Sequence, residues 1–279
     1  MIENWQVFGH EKAKSILGKQ LGSGNLPHAY LFAGPTGVGK KLLALEFAKK
    51  VLNTDKLENH PDFQILDMEG EITVEPLLTF IGSLGYKPFS GPKKIALINN
   101  AENLNLQASN ALLKTLEEPS QSTVIVLIAG SSGLLPTIIS RCQVLSFSVF
   151  GKKSLEAFAK ASALAIDEKI MGLSFGRPAR LKQLATDTKF LEEQSLSVEA
   201  YEKIKSLPLS EKLAGLNGMA QKEPPDLEED LLTWLFWQAG QLRQKPQDFV
   251  KVRALGEALL GLKSNFNKKL VLQGLLMKI

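Results

Sequence analysis

The sequence predicts an α/β fold, a parallel sheet covered by crossover helices and followed by an all-helical half, and three observations predict it. Short apolar runs alternate with helical patterns through residues 1–150. The runs at 95–99 and 124–129 are almost continuously apolar, as strands buried on both faces must be. Beyond Phe150 the strand signals stop and helical patterns continue to the end.

In chain order, strands are expected at 29–33, 63–66, 95–99, 124–129 and 144–147, with a helix over 42–52 after the first. In the segment 108–116, Ala108, Ala111, Leu112, Thr115 and Leu116 recur at helical spacing, and Pro119 cannot continue the helix. Ser109, Asn110, Lys114 and Glu117 are expected on its opposite, polar face. Further helices are expected at 155–165, 179–185, 198–205, 230–244 and 249–262. They are separated by breakers such as Gly176-Arg177-Pro178, Leu207-Pro208 and Glu223-Pro224-Pro225. The dense apolar run around Trp234 and Trp237 reads as core. Boundaries near Phe150 and Phe190 divide the chain into an α/β domain (1–150), a small helical piece (151–190) and a larger helical domain (191–279).

Composition narrows the function classes. With 279 residues, 44% hydrophobic and 22% charged, the chain has material for buried cores and no case for global disorder. A single cysteine, Cys142, excludes an internal disulfide, and with three scattered histidines it furnishes no zinc site, so no metal site is expected. The balance of 33 basic against 29 acidic residues, +4, permits nucleic-acid contact without demanding it, and the lysine pairs Lys49-Lys50, Lys93-Lys94, Lys152-Lys153 and Lys268-Lys269 read as solvated faces. The N-terminus lacks a basic segment followed by an apolar run, and 124–129 falls far short of a membrane span, so a cytoplasmic protein with no membrane contact is expected.

The first strand runs into Gly34-Pro35-Thr36-Gly37-Val38-Gly39-Lys40 and then a helix. Gly34, Gly37 and Gly39 let the backbone aim its N–H groups inward, the helix N-terminus adds its dipole, and Lys40 adds a point charge, which together describe a phosphate loop. A hydrolysing loop follows its lysine with a serine or threonine that binds magnesium, and here the residue is Lys41. The strand at 95–99 should end in carboxylates for the metal and for water, and here the residues are Asn99 and Asn100. Amides carry no formal charge for a metal and no base for water. Glu102 stands beyond the strand and reads as a helix-start acid. The surviving loop and Lys40 permit ATP binding without hydrolysis, and no cofactor is required.

Further blocks sharpen this pattern: Phe8-Gly9-His10-Glu11, the run Leu26-Pro27-His28-Ala29-Tyr30-Leu31-Phe32, the run Ala108-Ser109-Asn110-Ala111-Leu112-Leu113-Lys114-Thr115-Leu116-Glu117-Glu118-Pro119, and Ser140-Arg141-Cys142. With the phosphate loop they resemble the bacterial DNA polymerase III clamp-loader family, whose fold is an AAA+ P-loop sheet domain, a helical lid and a helical collar. The resemblance is close over roughly residues 2–150 and extends beyond only in helical character. Two kinds of subunit carry these blocks, the ATP-hydrolysing gamma/tau motor and the delta-prime branch, which commonly loses the hydroxyl and carboxylates. This sequence resembles the second.

The resemblance implies a hetero-oligomeric ring with gamma/tau and delta subunits that loads a sliding clamp on primed DNA. It implies that the helix over 108–116 helps couple neighbouring subunits, and that the C-terminal helices close the ring. It also implies that Arg141 acts in trans as an arginine finger on a neighbour's nucleotide. In the lid, Gly176-Arg177-Pro178-Ala179-Arg180 resembles the family's second sensor and places Arg180 toward the nucleotide. Two features depart from relatives. The segment 51–59 before His60-Pro61-Asp62 lacks the four-cysteine zinc module, so no zinc is expected, and 130–133 lacks the polar residue that senses the γ-phosphate. The alternatives are an active gamma/tau-type motor, which needs a hydroxyl at 41 and carboxylates at 99 and 100, and an unrelated P-loop kinase or repair ATPase, which needs acceptor-binding arginines not found here.

Overall fold

The computed structural model describes residues 5–130, 134–241, 245–263 and 266–279. The chain divides into two compact units, Met1–Phe150 and Gly151–Ile279.

The first unit runs α1 (Glu11–Ser23), β1 (Ala29–Ala33), α2 (Lys40–Leu52), β2 (Phe63–Leu66), α3 (Val74–Leu84), β3 (Lys94–Ile98), a 3-10 turn (Ala101–Asn103), α4 (Leu106–Glu117), β4 (Thr123–Ala129), α5 (Pro136–Ile139) and β5 (Gln143–Ser146). The sheet is wholly parallel, in the order β2-β3-β4-β1-β5. Every expected strand forms within a residue of its expected ends. The side-chain period of two explains the three layers. Tyr30, Phe32, Val124, Val126 and Ile128 face one side and pack with Leu17, Leu43 and Phe47 of α1 and α2. Leu31, Ile125, Leu127 and Ala129 face the other and pack with Leu77, Phe80, Leu112, Leu116 and Ile138 of α3, α4 and α5. Because β3, β4 and β1 are covered on both faces, their sequences are apolar after the opening Lys94 of β3 and Thr123 of β4. The edge strands leave Ile65 and Val144 exposed.

In α4 the Asn105 side chain caps the N-terminus by accepting from Ala108 N at 2.8 Å. One expectation fails within it. Ser109 was expected on the polar face but is buried, its hydroxyl donating to Leu104 O, because the turn before the helix folds under that side.

The second unit contains α6 (Lys152–Ala161), α7 (Glu168–Leu173), α8 (Pro178–Thr186), α9 (Thr188–Ser206), α10 (Leu209–Ala214), α11 (Leu216–Ala220), α12 (Pro224–Gln241), α13 (Phe249–Lys263) and α14 (Lys268–Leu276). The breakers Arg177-Pro178, Leu207-Pro208 and Glu223-Pro224 all stand at helix junctions. The expected helix over 230–244 starts earlier, at Pro224, and its residues 242–244 lie outside the described residues. The polar stretch at 186–188 is a junction, where Asp187 caps α9 by accepting from Phe190 N at 3.0 Å. Phe190 therefore lies in the first turn of α9. Tyr201 stacks on Trp234 with centroids 5.3 Å apart, and both are buried with Leu227, Leu231, Leu255 and Leu272. Among the described residues no helix is long and apolar enough to cross a membrane.

Candidate functional site

The glycine loop leaves the C-terminal end of β1, the place where parallel sheets present their ligand crevice. Gly34 is irreplaceable there: its φ is 151°, and a Cβ would stand 2.2 Å from the Phe147 carbonyl oxygen. Gly39 caps α2 in the left-handed region, φ 104°. Lys40 opens α2 and is buried, its ammonium donating to the carbonyls of Gly34 and of Pro35, the latter at 2.7 Å. Its charge is thus folded into the loop it follows.

The N-terminal block is fastened to the same loop. His10 donates from Nε2 to Val38 O at 2.7 Å, since the carbonyl can only accept. Its ring meets Phe147 and Phe150 edge-on, with centroids 4.7 and 5.1 Å away. Burial lowers its pKa below the ordinary imidazole value. Glu46 of α2 accepts from Gln6 N and Val7 N, tying the entering chain to the helix.

Two of the positions that would hold a metal, 41 and 99, are joined through Asp67. Lys41 forms an ion pair with Asp67, the residue after β2, and Asn99 Nδ2 donates to the other carboxylate oxygen of Asp67 at 2.7 Å. Leu66 pairs with Ile98 across β2 and β3, so the parallel register sets Asp67 beside Asn99. Lys41 first, and Asn99 after it, holds the Asp67 carboxyl below its ordinary pKa. Asn100 is left-handed, φ 52°, and its amide donates to Met68 O at 3.3 Å. Glu102 accepts from Gly130 N at 2.9 Å, which occupies one of its oxygens in closing the end of β4. The expectation about a γ-phosphate sensor falls on 130–133, of which 131–133 lie outside the described residues.

Magnesium, which phosphoryl chemistry at such a loop requires, does not fit this donor set. Position 41 brings an ammonium and positions 99 and 100 bring amides. The nearest carboxylate, Asp67, already carries a cation and an amide donor. Among the described residues there is no group of three or more His, Cys, Asp or Glu that could hold a metal ion.

Arg141 lies outside this cluster, in the turn between α5 and β5. Its NH2 donates to Glu117 Oε1 at 2.6 Å and its NH1 to Thr137 O at 2.9 Å. The side chain keeps 34% exposure. The neighbouring Cys142 packs against the core, and burial raises its thiol pKa to about 11, so it is an inert anchor.

Arg180 belongs to the second unit, and its donors are engaged there. It bonds Leu173 O and Glu229 at 2.9 Å each, Thr233 Oγ1 at 3.1 Å, and Gln194. Phe175 and Phe190 flank its guanidinium. Arg177, one turn away, stacks 3.6 Å from the Phe236 ring centre, and burial lowers its pKa to about 10.

The roles of Asp67 and Asp62 escaped the sequence. Asp67 carried only the signal of a carboxylate placed just past a strand end in a parallel sheet. Asp62, 1% exposed, accepts from Phe89 N at 2.6 Å and from Ser90 N and Oγ at 2.8 and 2.9 Å, fixing the 85–93 loop.

Comparison with known proteins identifies the family. A family model described as DNA polymerase III, delta subunit, matches residues 9–151. The DNA polymerase III subunit delta' of Pseudomonas aeruginosa is 36% identical over 182 residues, 56% of this chain and 55% of that protein. The subunit delta' of Bacillus subtilis is 28% identical over 225 residues, 72% and 68% of the two chains. The tau/gamma subunit of Haemophilus influenzae is 35% identical over 153 residues, but these are 22% of its length. The match thus spans little more than half of the Pseudomonas relative. A crystal structure of a gamma subunit-related protein from Thermotoga maritima aligns with a TM-score of 0.54 at 20% identity, over 94% of this chain and 97% of that one, a likeness of fold.

Proposed function

The chain belongs to the DNA polymerase III, delta subunit family, whose model covers residues 9–151, and on that premise we propose that it is a delta-prime-like clamp-loader subunit that does not hydrolyse ATP. It occupies one place in a hetero-oligomeric ring with gamma/tau and delta subunits in the cytoplasm. The ring loads a sliding clamp on primed DNA during replication. Within it, this chain supplies Arg141 to a nucleotide held by a neighbour. A guanidinium is permanently charged and forked, so at a subunit edge it stabilises the charge that develops on a γ-phosphate during transfer.

The observation that carries the loss of hydrolysis is the joining of Lys41, Asp67 and Asn99. Two of the groups that stand where a motor would direct ligands at magnesium, Lys41 and Asn99, are both bound to Asp67, and the third, Asn100, donates to Met68 O. The gamma/tau-type reading has a match over 49% of the chain but would need those groups released and recharged. Arg180 is proposed as an internal tie of the helical unit, because its donors are engaged by Leu173, Gln194, Glu229 and Thr233. Isolated chain mixed with ATP, with and without magnesium, is expected to release no phosphate. Sustained magnesium-dependent turnover would exclude a non-motor subunit.

A further inference from the structure

We infer that Glu117 is a positioning residue for Arg141, holding its guanidinium in the orientation in which a neighbouring subunit's phosphate meets it; this rests on the trans role of Arg141 proposed above. Arg141 is anchored at its backbone but not along its side chain. Its N–H bonds Ile138 O and the Cys142 N–H bonds Ile139 O, each at 3.1 Å. Ile138 is fully buried and Cys142 packs against the same core. The long side chain then has several rotatable bonds and substantial rotamer freedom. Two contacts restrict it: Thr137 O takes a proton from NH1, and Glu117 Oε1 takes one from NH2 at 2.6 Å. The Thr137 carbonyl belongs to α5, the same segment that carries Arg141. Among the described residues, only Glu117, the last residue of α4, ties the guanidinium to a different element, and α4 packs against α5.

The exposure of the pair suits presentation. Arg141 keeps 34% and Glu117 51% of its side-chain surface. The contacts engage one N–H on each terminal nitrogen, so the fork is oriented while part of it still faces outward. A carboxylate so exposed does not neutralise the guanidinium as a buried partner would, because water screens the pair. Its effect on a phosphate reached from outside is therefore chiefly orientational. Misplacing a reacting group by about 1 Å costs rate far beyond the energy of the lost contact.

The test is ATP turnover by the reconstituted ring, with assembly and the thermal midpoint of each variant measured first. Glu117→Ala is expected to lower kcat about 10-fold with the KM for ATP unchanged. Glu117→Gln, which keeps a carbonyl acceptor, is expected to restore most of it. Arg141→Ala is expected to lower kcat further, and Arg141→Ala combined with Glu117→Ala to match Arg141→Ala alone, as for residues acting in one chain. If Arg141→Ala slows turnover while Glu117→Ala does not, the positioning role fails and the trans role stands. If neither slows it, the trans role fails and the positioning role with it. A double variant slower than Arg141→Ala, or a Glu117→Ala ring faster than the parent, also overturns the inference. Should Glu117→Ala fail to fold, Glu117→Gln and Glu117→Lys decide it: the first is expected near the parent, the second to turn the guanidinium away by like charge and lower kcat, and equal rates would contradict the role.

Discussion

Lys41 and Asp67 form an ion pair between the first turn of α2 and the end of β2, and the pair stands where a hydrolysing loop would assemble its metal site. Both side chains are partly exposed, at 43% and 33%, so solvent screens the attraction and it contributes at most about 1 kcal/mol. Its consequence is chemical before it is energetic. Asp67→Ala is expected to lower the stability of the first unit by no more than about 1 kcal/mol in urea unfolding. A loss several times larger would mean that the cluster is a buried structural core.

Gly34 sets a sharper demand. Its φ of 151° and the 2.2 Å approach of a Cβ to the Phe147 carbonyl leave no room for a side chain against backbone. Gly34→Ala is expected to cost on the order of 3 kcal/mol, a fall of about 10 °C in thermal midpoint, because strain and clash add. A midpoint within a degree of the parent would show that the loop relaxes freely.

Asp62 gives the pH dependence. Burial opposes its charge, but the N–H groups of Phe89 and Ser90 and the Ser90 hydroxyl outweigh it and leave the carboxyl below its ordinary pKa. A carboxyl depressed on folding contributes stability that is present above its unfolded value of about 3.9 and is lost as pH falls through its folded value. Asp62→Asn is therefore expected to be less stable than the parent at pH 7, by about 2 kcal/mol, and to approach it as pH falls below the ordinary carboxyl value and through the folded one. Stability curves that stay parallel throughout the acid range would contradict the assignment.

Arg180 distinguishes a structural tie from a nucleotide contact. Its side chain is 12% exposed and it bonds four partners within the helical unit. Arg180→Ala is expected to destabilise that unit by about 3 kcal/mol, since Glu229, Gln194 and Thr233 all lose a donor. Calorimetry showing no shift would return Arg180 to the role that its motif implies.

How much of this was legible in the sequence follows from what periodicity can carry. The five strands were readable because their apolar runs are bounded by glycine, proline and polar residues. Lys94 lay outside the expected strand because it is charged, yet it is buried, with its ammonium on Ser83 O at 3.2 Å. The helix α7 was missed because six residues hold too little of a helical period to detect, and α14 because its start depends on the Asn267 cap and not on a long apolar stripe. Lys41 and Asn99 were visible through motif spacing, and Arg141 through the family resemblance of its triplet. Asp67 and Glu117 were not: the first meets its partners through the register of β2 on β3, the second through the packing of α4 on α5. Such pairings across elements leave no mark in one linear sequence.

Turnover at the neighbouring nucleotide site, measured in a reconstituted ring carrying Arg141→Ala, tests the trans role most directly. With assembly intact, turnover at that site is expected to fall on the order of 10³-fold, as when an arginine finger is withdrawn. Unchanged turnover and unchanged clamp loading by the Arg141→Ala ring would contradict it.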